Sequence, residues 1–523
     1  MNMITLEINK KQVTVEKNST ILDAAKQLNI DIPTLCYLNG YERFTSCMIC
    51  VVHEIKTDQL LPSCSAMATE GMQIETDNEK LREFRKDTLE LLLSEHVGDC
   101  EAPCQRTCPA NMNIPLMIRQ IKEKRFEDAI RTVKKDIALP AVLGRICPAP
   151  CENACRRKIY DNPVSICLLK RFVADIDLSQ ESPYMPKMKD KSGKKVAIIG
   201  AGATGLSAAY YLLQNGHECD IYDKNPQPGG MLRYGVPDEK LPKSVLDSEI
   251  ELIFALGAAF KMNHTLGKDI EFDELRKTYD AVVIAMGKVD ATLFENSWIE
   301  FSSRGVSVNR KTFETTLPGV FVGGNAISEG RMAIRSVAHG KSIAHSVDQF
   351  LNNLSVTGSQ QRFNSILGKI QNGEKEEFIK EVEKYDQIIP EGGSKDGYSE
   401  LEAVKESSRC FHCDCRKPDL CKLRQYAEEY GANQQRFKLN LRNKFEKIIQ
   451  HEYVIYEPGK CIKCNLCVQI TKKAGEELGL TFINRDFNVR VEVPFHESLD
   501  RGLGKVAKEC IEACPTAALS WRD

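Results

Sequence analysis

The sequence predicts a multidomain chain of mixed α/β and α+β class, and three observations lead there. It has 523 residues, 42% of them hydrophobic, enough for three or more buried cores. Of its 21 cysteines, all but Cys167 and Cys219 gather in tight groups along both flanks. Between the flanks, KKVAIIGAGATGLSAAYYLLQNGHECDIYDK reads as a strand, a glycine turn, a helix and a second strand. The expected division is 1–78, 79–190, 191–352, a linker at 353–400, and 401–523.

Composition removes several classes of function. A formal charge of −2 gives no electrostatic reason for a nucleic acid or an acidic membrane as partner. The opening MNMITLEINKKQVTVEKN lacks the apolar centre of a signal peptide, and no apolar run approaches the roughly 18 residues that span a bilayer. A soluble, cytoplasmic protein without membrane insertion is therefore expected. A reducing cytoplasm disfavours disulfides, and grouped thiolates are ligands for soft metals.

In the first segment, MITLEINKKQVTVEKNSTILDAAKQLNI gives two alternating strands joined at Asn9, Lys10 and Lys11, then a helix capped near Asn18 or Ser19. A cysteine loop follows with Cys36, Cys47, Cys50 and Cys64, spaced by ten, two and thirteen residues. Two iron ions bridged by sulfide need four thiolates, and irregular loop backbone turns its N–H groups toward the sulfurs. Four zinc ligands more often come as two close pairs. The spacing resembles the 2Fe–2S ferredoxin domain, of β-grasp fold, that opens the large iron–sulfur subunit of respiratory complex I and of related hydrogenases and formate dehydrogenases.

Residues 79–95 have helical periodicity and lead into His96, Cys100, Cys104 and Cys108; a second helical stretch leads to GRICPAPCENACRR with Cys147, Cys151 and Cys155. Two triplets supply three ligands to each of two cubane clusters. The run from Cys104 to Phe172 resembles the N-terminal helical domain of the glutamate synthase small subunit, dihydropyrimidine dehydrogenase and the bifurcating transhydrogenase large subunit. That resemblance implies two 4Fe–4S clusters with interleaved ligands, Cys100, Cys104 and Cys155 for one, Cys108, Cys147 and Cys151 for the other. His96 stands where the family's first cysteine falls, either as an imidazole ligand or as a solvated residue at a helix end. Lys170 stands where relatives use Gln or Glu as a ligand, and an ammonium cannot ligate iron. Cys167, one turn away on the same helical face, either fills that vacancy or is an apolar filler.

In the central segment Gly200 and Gly202 allow a tight turn and the approach of a pyrophosphate to the helix N-terminus, Gly205 allows close helix–strand packing, and Asp223 can accept from a ribose. PGGMLRYGVPDEKLPK with Gly230 and Met231, YDAVVIAMG ending at Gly287, and TTLPGVFVGGN with Gly324 and Asn325 resemble the FAD-binding half of the glutamate-synthase-like family. Relatives usually have Asp at Asn325. The family inserts a nicotinamide-binding domain between the last two motifs, but only 35 residues separate Gly287 from Gly323 here. FAD without an NAD(P)H domain is the expectation, and Gly502 and Gly504 read as a turn.

After a charged stretch expected to be helical, FNSILGKIQNGEKEEFIKEVEKYD, come Cys410, Cys413, Cys415 and Cys421, read as a compact nest for 4Fe–4S or structural zinc. Cys461, Cys464 and Cys467 with a remote Cys-Pro form a cubane pattern. Lys460 to Leu519 resembles the 4Fe–4S segment of complex I's large iron–sulfur subunit, which makes Cys514 the fourth ligand and leaves Cys510 spare.

These readings converge on an iron–sulfur flavoprotein oxidoreductase subunit that transfers electrons and has no catalytic side-chain constellation of its own. It carries FAD, one 2Fe–2S and up to four 4Fe–4S clusters. Resemblance implies partners: an NADH- and FMN-type iron–sulfur subunit, a dehydrogenase or hydrogenase subunit, and ferredoxin, with electron bifurcation as in one relative. The alternatives are a self-sufficient NAD(P)H:acceptor oxidoreductase and a non-catalytic metal-binding scaffold.

Overall fold

The computed structural model describes residues 3–294, 298–330, 332–438 and 442–522. Two compact units emerge, and neither is continuous in sequence: the first collects Met1–Glu101, Arg362–Lys380 and Cys413–Asp523, the second Ala102–Gln361 and Glu381–His412.

The first unit opens with β1 (Met3–Ile8) and β2 (Lys11–Glu16), an antiparallel hairpin. Asn9 and Lys10 both take positive φ, 50° and 64°, the turn whose twist suits a two-residue hairpin. Helix α1 (Ile21–Gln27) starts one residue later than expected: Thr20 accepts from the Asp23 amide while Asp23 accepts in return, a reciprocal cap. With β3 (Val51–Glu54), β4 (Gln59–Pro62) and β5 (Gln73–Glu75) the sheet order is β2-β1-β5-β3-β4, parallel only between β1 and β5. Leu6, Ile8, Ile21, Leu22 and Ile74 fill the core between sheet and α1. Helix α2 (Glu79–Ser94) buries Leu81, Leu89 and Leu93, and the guanidinium of Arg85 donates to the carbonyls of Val51 and Thr76. The C-terminal part pairs Val454–Tyr456 antiparallel with Leu519–Trp521 and packs helices Leu466–Ala474 and Ala507–Ala513 around Ile470, Leu503 and Ile511.

The second unit joins a helical part to a parallel sheet. Helix Pro140–Ile146 lies so close to helix Ile166–Leu178 that a Cβ on Gly144 would sit 2.6 Å from Arg171 Cβ. The sheet runs Val320–Val322, β9 (Ala281–Ile284), β6 (Lys195–Ile199), β7 (Glu218–Asp223), β8 (Ala259–Met262), every neighbour parallel. Helices Ala203–Gln214 and Ala333–Leu351 pack together, with the latter's Gly340 against the Thr204 carbonyl. Between Gly287 and Gly319 the described residues form only a 3-10 turn, Ala291–Phe294, and a hairpin of Phe301–Ser302 with Gly305–Val306.

Two expectations are corrected. Residues 353–400 are not a passive linker: 362–380 belong to the first unit and 381–400 to the second. In the charged stretch only Lys375–Phe378 is helical among the described residues, because Glu374 spends its carboxylate on Arg442 and on the amides of Gln371 and Phe445 instead of facing water on a helix. Among the described residues no helix is long and apolar enough to cross a membrane.

Candidate thiol centres and dinucleotide site

Cys36, Cys47, Cys50 and Cys64 are all buried around the irregular loop before β3 and the turn after β4. They approach in pairs. The Cys47 thiol donates to Cys36, which holds Cys36 below the ordinary thiol range and pushes Cys47 up; Cys50 and Cys64 repeat the arrangement, with Cys64 lowered. Backbone amides of Ser46 and Cys47 also favour the Cys36 thiolate. Positive φ at Thr45 and Met48 folds the loop back so that amides and sulfurs face inward.

In the second unit Cys108, Cys147, Cys151 and Cys167 converge. Hydrogen bonding with Cys147 lowers the Cys167 thiol, but Cys151 and burial outweigh it and push it up to about 12; Cys147 is raised first by Cys167 and then by burial. Ala149 takes the left-handed conformation (φ 52°), the bend that lets Cys147 and Cys151 flank one centre. The Cys167 amide donates to Glu152 at 2.8 Å, fixing the start of its helix. Cys104, Cys155 and Cys410 pack against the same core. The loop carrying Cys410 is anchored beside Cys155: the buried Arg157 donates to the Arg409 carbonyl at 2.8 Å, and Arg409 pairs with Glu406 and Asp161.

Cys100 falls in the first unit, and Cys104 and Cys155 in the second. The Cys100 carbonyl accepts from the Cys415 amide at 3.2 Å, and its sulfur accepts from the Ser365 amide at 3.4 Å. Burial pushes the Cys421 thiol to about 12, reinforced by Cys415 and Cys100. Of the four cysteines expected as a nest, Cys410 falls in the second unit and Cys413, Cys415 and Cys421 in the first. Nearby, His96 is half-buried, and its Nδ1, shielded from solvent, has no hydrogen-bond partner among the described residues. Burial, with help from Lys460 and Lys438, lowers its pKa to about 3, so a neutral imidazole with a free lone pair stands there. Lys460 lies against Gly98, its charge met by Glu457 Oε2 at 2.5 Å.

Cys461, Cys464, Cys467 and Cys514 line one apolar cavity with Tyr456, Leu466 and Thr516. Positive φ at Lys463 and Asn465 turns the three nearby thiols inward, and the Lys463 amide donates to Cys461 Sγ at 3.4 Å. Cys510 instead points its thiol at the Cys467 carbonyl from within the core. Among the described residues no three His, Cys, Asp or Glu side chains close tightly enough for a single metal ion. Thiols around a multi-iron cluster stand further apart, because iron and sulfide fill the centre.

The glycine turn is sterically obligatory. A Cβ would meet the Ala285 carbonyl oxygen at 2.5 Å from Gly200 (φ 112°) and the Gly200 carbonyl oxygen at 1.9 Å from Gly205. Gly202 caps helix Ala203–Gln214 without a side-chain partner, leaving its first N–H groups for an anion. Gly230 stands opposite, where a Cβ would lie 2.9 Å from Gly202 Cα, and Met231 beside it is 72% exposed. Asp223 already works within the fold: Oδ2 accepts from the Ala201 amide at 2.8 Å and Oδ1 accepts from both the backbone amide and the side-chain amide of Asn225, so one lone pair, on Oδ2, is left for a ribose. Gly287 (φ 84°) faces open space. Gly324 donates its N–H to His339 Nδ1 at 3.1 Å, next to Asn325 in a 3-10 turn. Burial lowers the His339 pKa to about 4, which keeps that acceptor neutral. His339 and Thr204, whose hydroxyl crowds Gly324, escaped the sequence reading because they are ordinary residues in helical runs.

Three family models match in this order along the chain: the 2Fe-2S iron-sulfur cluster binding domain over residues 1–79, dihydropyrimidine dehydrogenase domain II with a 4Fe-4S cluster over 94–182, and the NAD(P)-binding Rossmann-like domain over 198–266. The chain is 42% identical over 207 residues to the NADP(+)-dependent formate dehydrogenase subunit beta of Moorella thermoacetica, covering 36% of this chain and 29% of that one. It is 35% identical over 238 residues to the NADPH-Fe(3+) oxidoreductase subunit beta of Geobacter sulfurreducens, covering 44% and 35%. It is 37% identical over 207 residues to the NAD-dependent dihydropyrimidine dehydrogenase subunit PreT of Escherichia coli, covering 39% and 50%. The chain thus spans half or less of the length of each of these relatives.

Proposed function

We propose that this multidomain α/β chain, with its ferredoxin-like 2Fe–2S domain, 4Fe–4S domain and Rossmann-like domain, is an iron–sulfur flavoprotein subunit passing electrons between a nicotinamide- or ferredoxin-linked partner and a substrate-transforming subunit of a cytoplasmic complex. The observation that carries this reading is the convergence of buried thiols into separate centres in a chain that also holds an open glycine cradle.

The ligand sets follow from that convergence. Cys36, Cys47, Cys50 and Cys64 hold 2Fe–2S. Cys108, Cys147, Cys151 and Cys167 hold one 4Fe–4S, Cys461, Cys464, Cys467 and Cys514 a second, and His96, Cys100, Cys415 and Cys421 a third; Cys104, Cys155 and Cys410 serve a fourth. Such clusters supply one-electron transfer and a flavin exchanges electrons singly or in pairs. The protein's own work is to bury the thiols, aim amides at their sulfurs, and receive FAD at Gly200, Gly202, Gly205, Asp223, Gly230, Met231, Gly287, Gly324 and Asn325. Partners of the kind named in the relatives, formate or dihydropyrimidine dehydrogenase subunits, fit a chain whose described site residues include no substrate-transforming constellation.

The short stretch after Gly287 favours FAD without a nicotinamide site, while the match at 198–266 favours a self-sufficient NAD(P)H oxidoreductase. Anaerobic titration of the purified chain, followed by flavin absorbance, decides between them. Bleaching by dithionite but by neither NADH nor NADPH is the expected result; rapid stoichiometric bleaching by either nucleotide overturns the assignment. Iron near 18 atoms per chain is expected from five filled centres, and far less returns the chain to the scaffold reading.

A further inference from the structure

Four described lysines are exposed by 4% or less and need an answer to their charge: Lys134, Lys460 and Lys447 at 3%, the last lying over the rings of Phe378 and Phe445, and Lys170 at 4%. Lys134 meets Asp177 and Lys460 meets Glu457, each at 2.5 Å. Lys170 has no such partner. Among the described residues the one polar atom within hydrogen-bond reach of its Nζ is the Cys167 sulfur, at 3.9 Å. Cys167, Cys147, Cys151 and Cys108 are the acidic groups that face this ammonium in its buried site. Glu152, half-buried, also feels Lys170, but its carboxylate is engaged by the Cys167 amide and its own pKa is raised by burial.

A buried ammonium without a carboxylate costs several kcal/mol unless another anion stands beside it. The four thiols are the groups placed to be that anion, and they become so when they are ligands to iron. We infer that Lys170 is a fixed cation that raises the reduction potential of the centre held by Cys108, Cys147, Cys151 and Cys167. The inference rests on the iron–sulfur reading of those four cysteines. Reduction of the centre adds one electron from the reductant and no atom, so the extra negative charge falls beside a cation already in place. The other buried lysine near thiols, Lys460, is neutralised by Glu457 and has no comparable leverage.

The test is potentiometry of the full chain followed by electron paramagnetic resonance, with Cys108→Ala used to identify which signal belongs to this centre. Lys170→Met should keep the iron content and move that signal alone to a more negative midpoint, and Lys170→Arg should keep the wild-type midpoint. An unchanged midpoint in Lys170→Met overturns the inference, as does loss of the centre's iron, which would make Lys170 structural. If Cys108→Ala removes no signal and no iron, the iron–sulfur reading of the four cysteines fails, a result distinct from a missing shift.

Discussion

Two thiol centres of the first unit are built in opposite ways. Cys36 to Cys64 lie within 29 residues, on one loop and the sheet it leads into, whereas Cys100 and Cys415 are 315 positions apart, with the whole second unit between them in sequence. The first is a local motif whose spacing is its signature. The second exists only because Ser365 and the Cys415 loop return to Cys100, and no spacing rule reaches across such a gap.

The comparison breaks first at the long-range centre. Cys100→Ala and Cys421→Ala should each remove about four iron atoms and abolish the same resonance, while Cys410→Ala should remove a different one. If Cys410→Ala and Cys421→Ala erase the same signal, the division of that cysteine group is wrong. Closing a longer loop removes more entropy from the unfolded chain, so losing this centre should destabilise the first unit by on the order of 2 kcal/mol more than losing the centre at Cys36 through Cys36→Ala; calorimetry of both variants checks it.

Next in size is the buried pair beside the long-range centre. Glu457→Gln strands Lys460 without its counter-charge and should cost about 3–5 kcal/mol, read as a fall in the first unit's melting temperature.

The second unit supplies a sulfur-free reference. Glu249 is buried, and burial raises its pKa to about 7 despite amide donors at Ala141 and Val142. Its folded value lies above its unfolded value of about 4.5, so its contribution is fully present below that pH and is lost as pH rises through about 7. The change is about 3 kcal/mol, and Glu249→Gln should flatten this part of the melting profile between pH 5 and 8. The smallest effect belongs to the exposed pair Arg43 with Asp23 near the local loop, 2.9 Å apart, where Arg43→Ala should cost less than about 1 kcal/mol.

What the sequence made legible was local. The hairpin at Asn9 and Lys10, the helix near 79–94, the glycine turn and the Cys461 to Cys467 run each depend on neighbours a few residues apart, which periodicity and turn chemistry describe. Cys167 was also within reach, one helical turn from Lys170. The hydrogen bonds of Cys100 with Ser365 and Cys415 were not, because both partners are remote in sequence. The stretch at 363–386 misled in another way: its charges read as a solvated helix face, whereas Glu374 and Arg442 use theirs to tie an irregular segment down.

The chain emerges from the ribosome in one direction, and that gives the discontinuous first unit a timetable. At roughly 5–20 residues per second, about 15–60 s pass between the appearance of Cys100 and that of Cys415. During that wait the ferredoxin-like sheet has all its strands, the second unit acquires its whole length, and Cys100 remains a thiol without its later neighbours. If iron is delivered during synthesis, the proposed centre at Cys100 and Cys415 is filled after the one at Cys36 to Cys64, and cells short of iron should then accumulate chains carrying the early centre and lacking the late one.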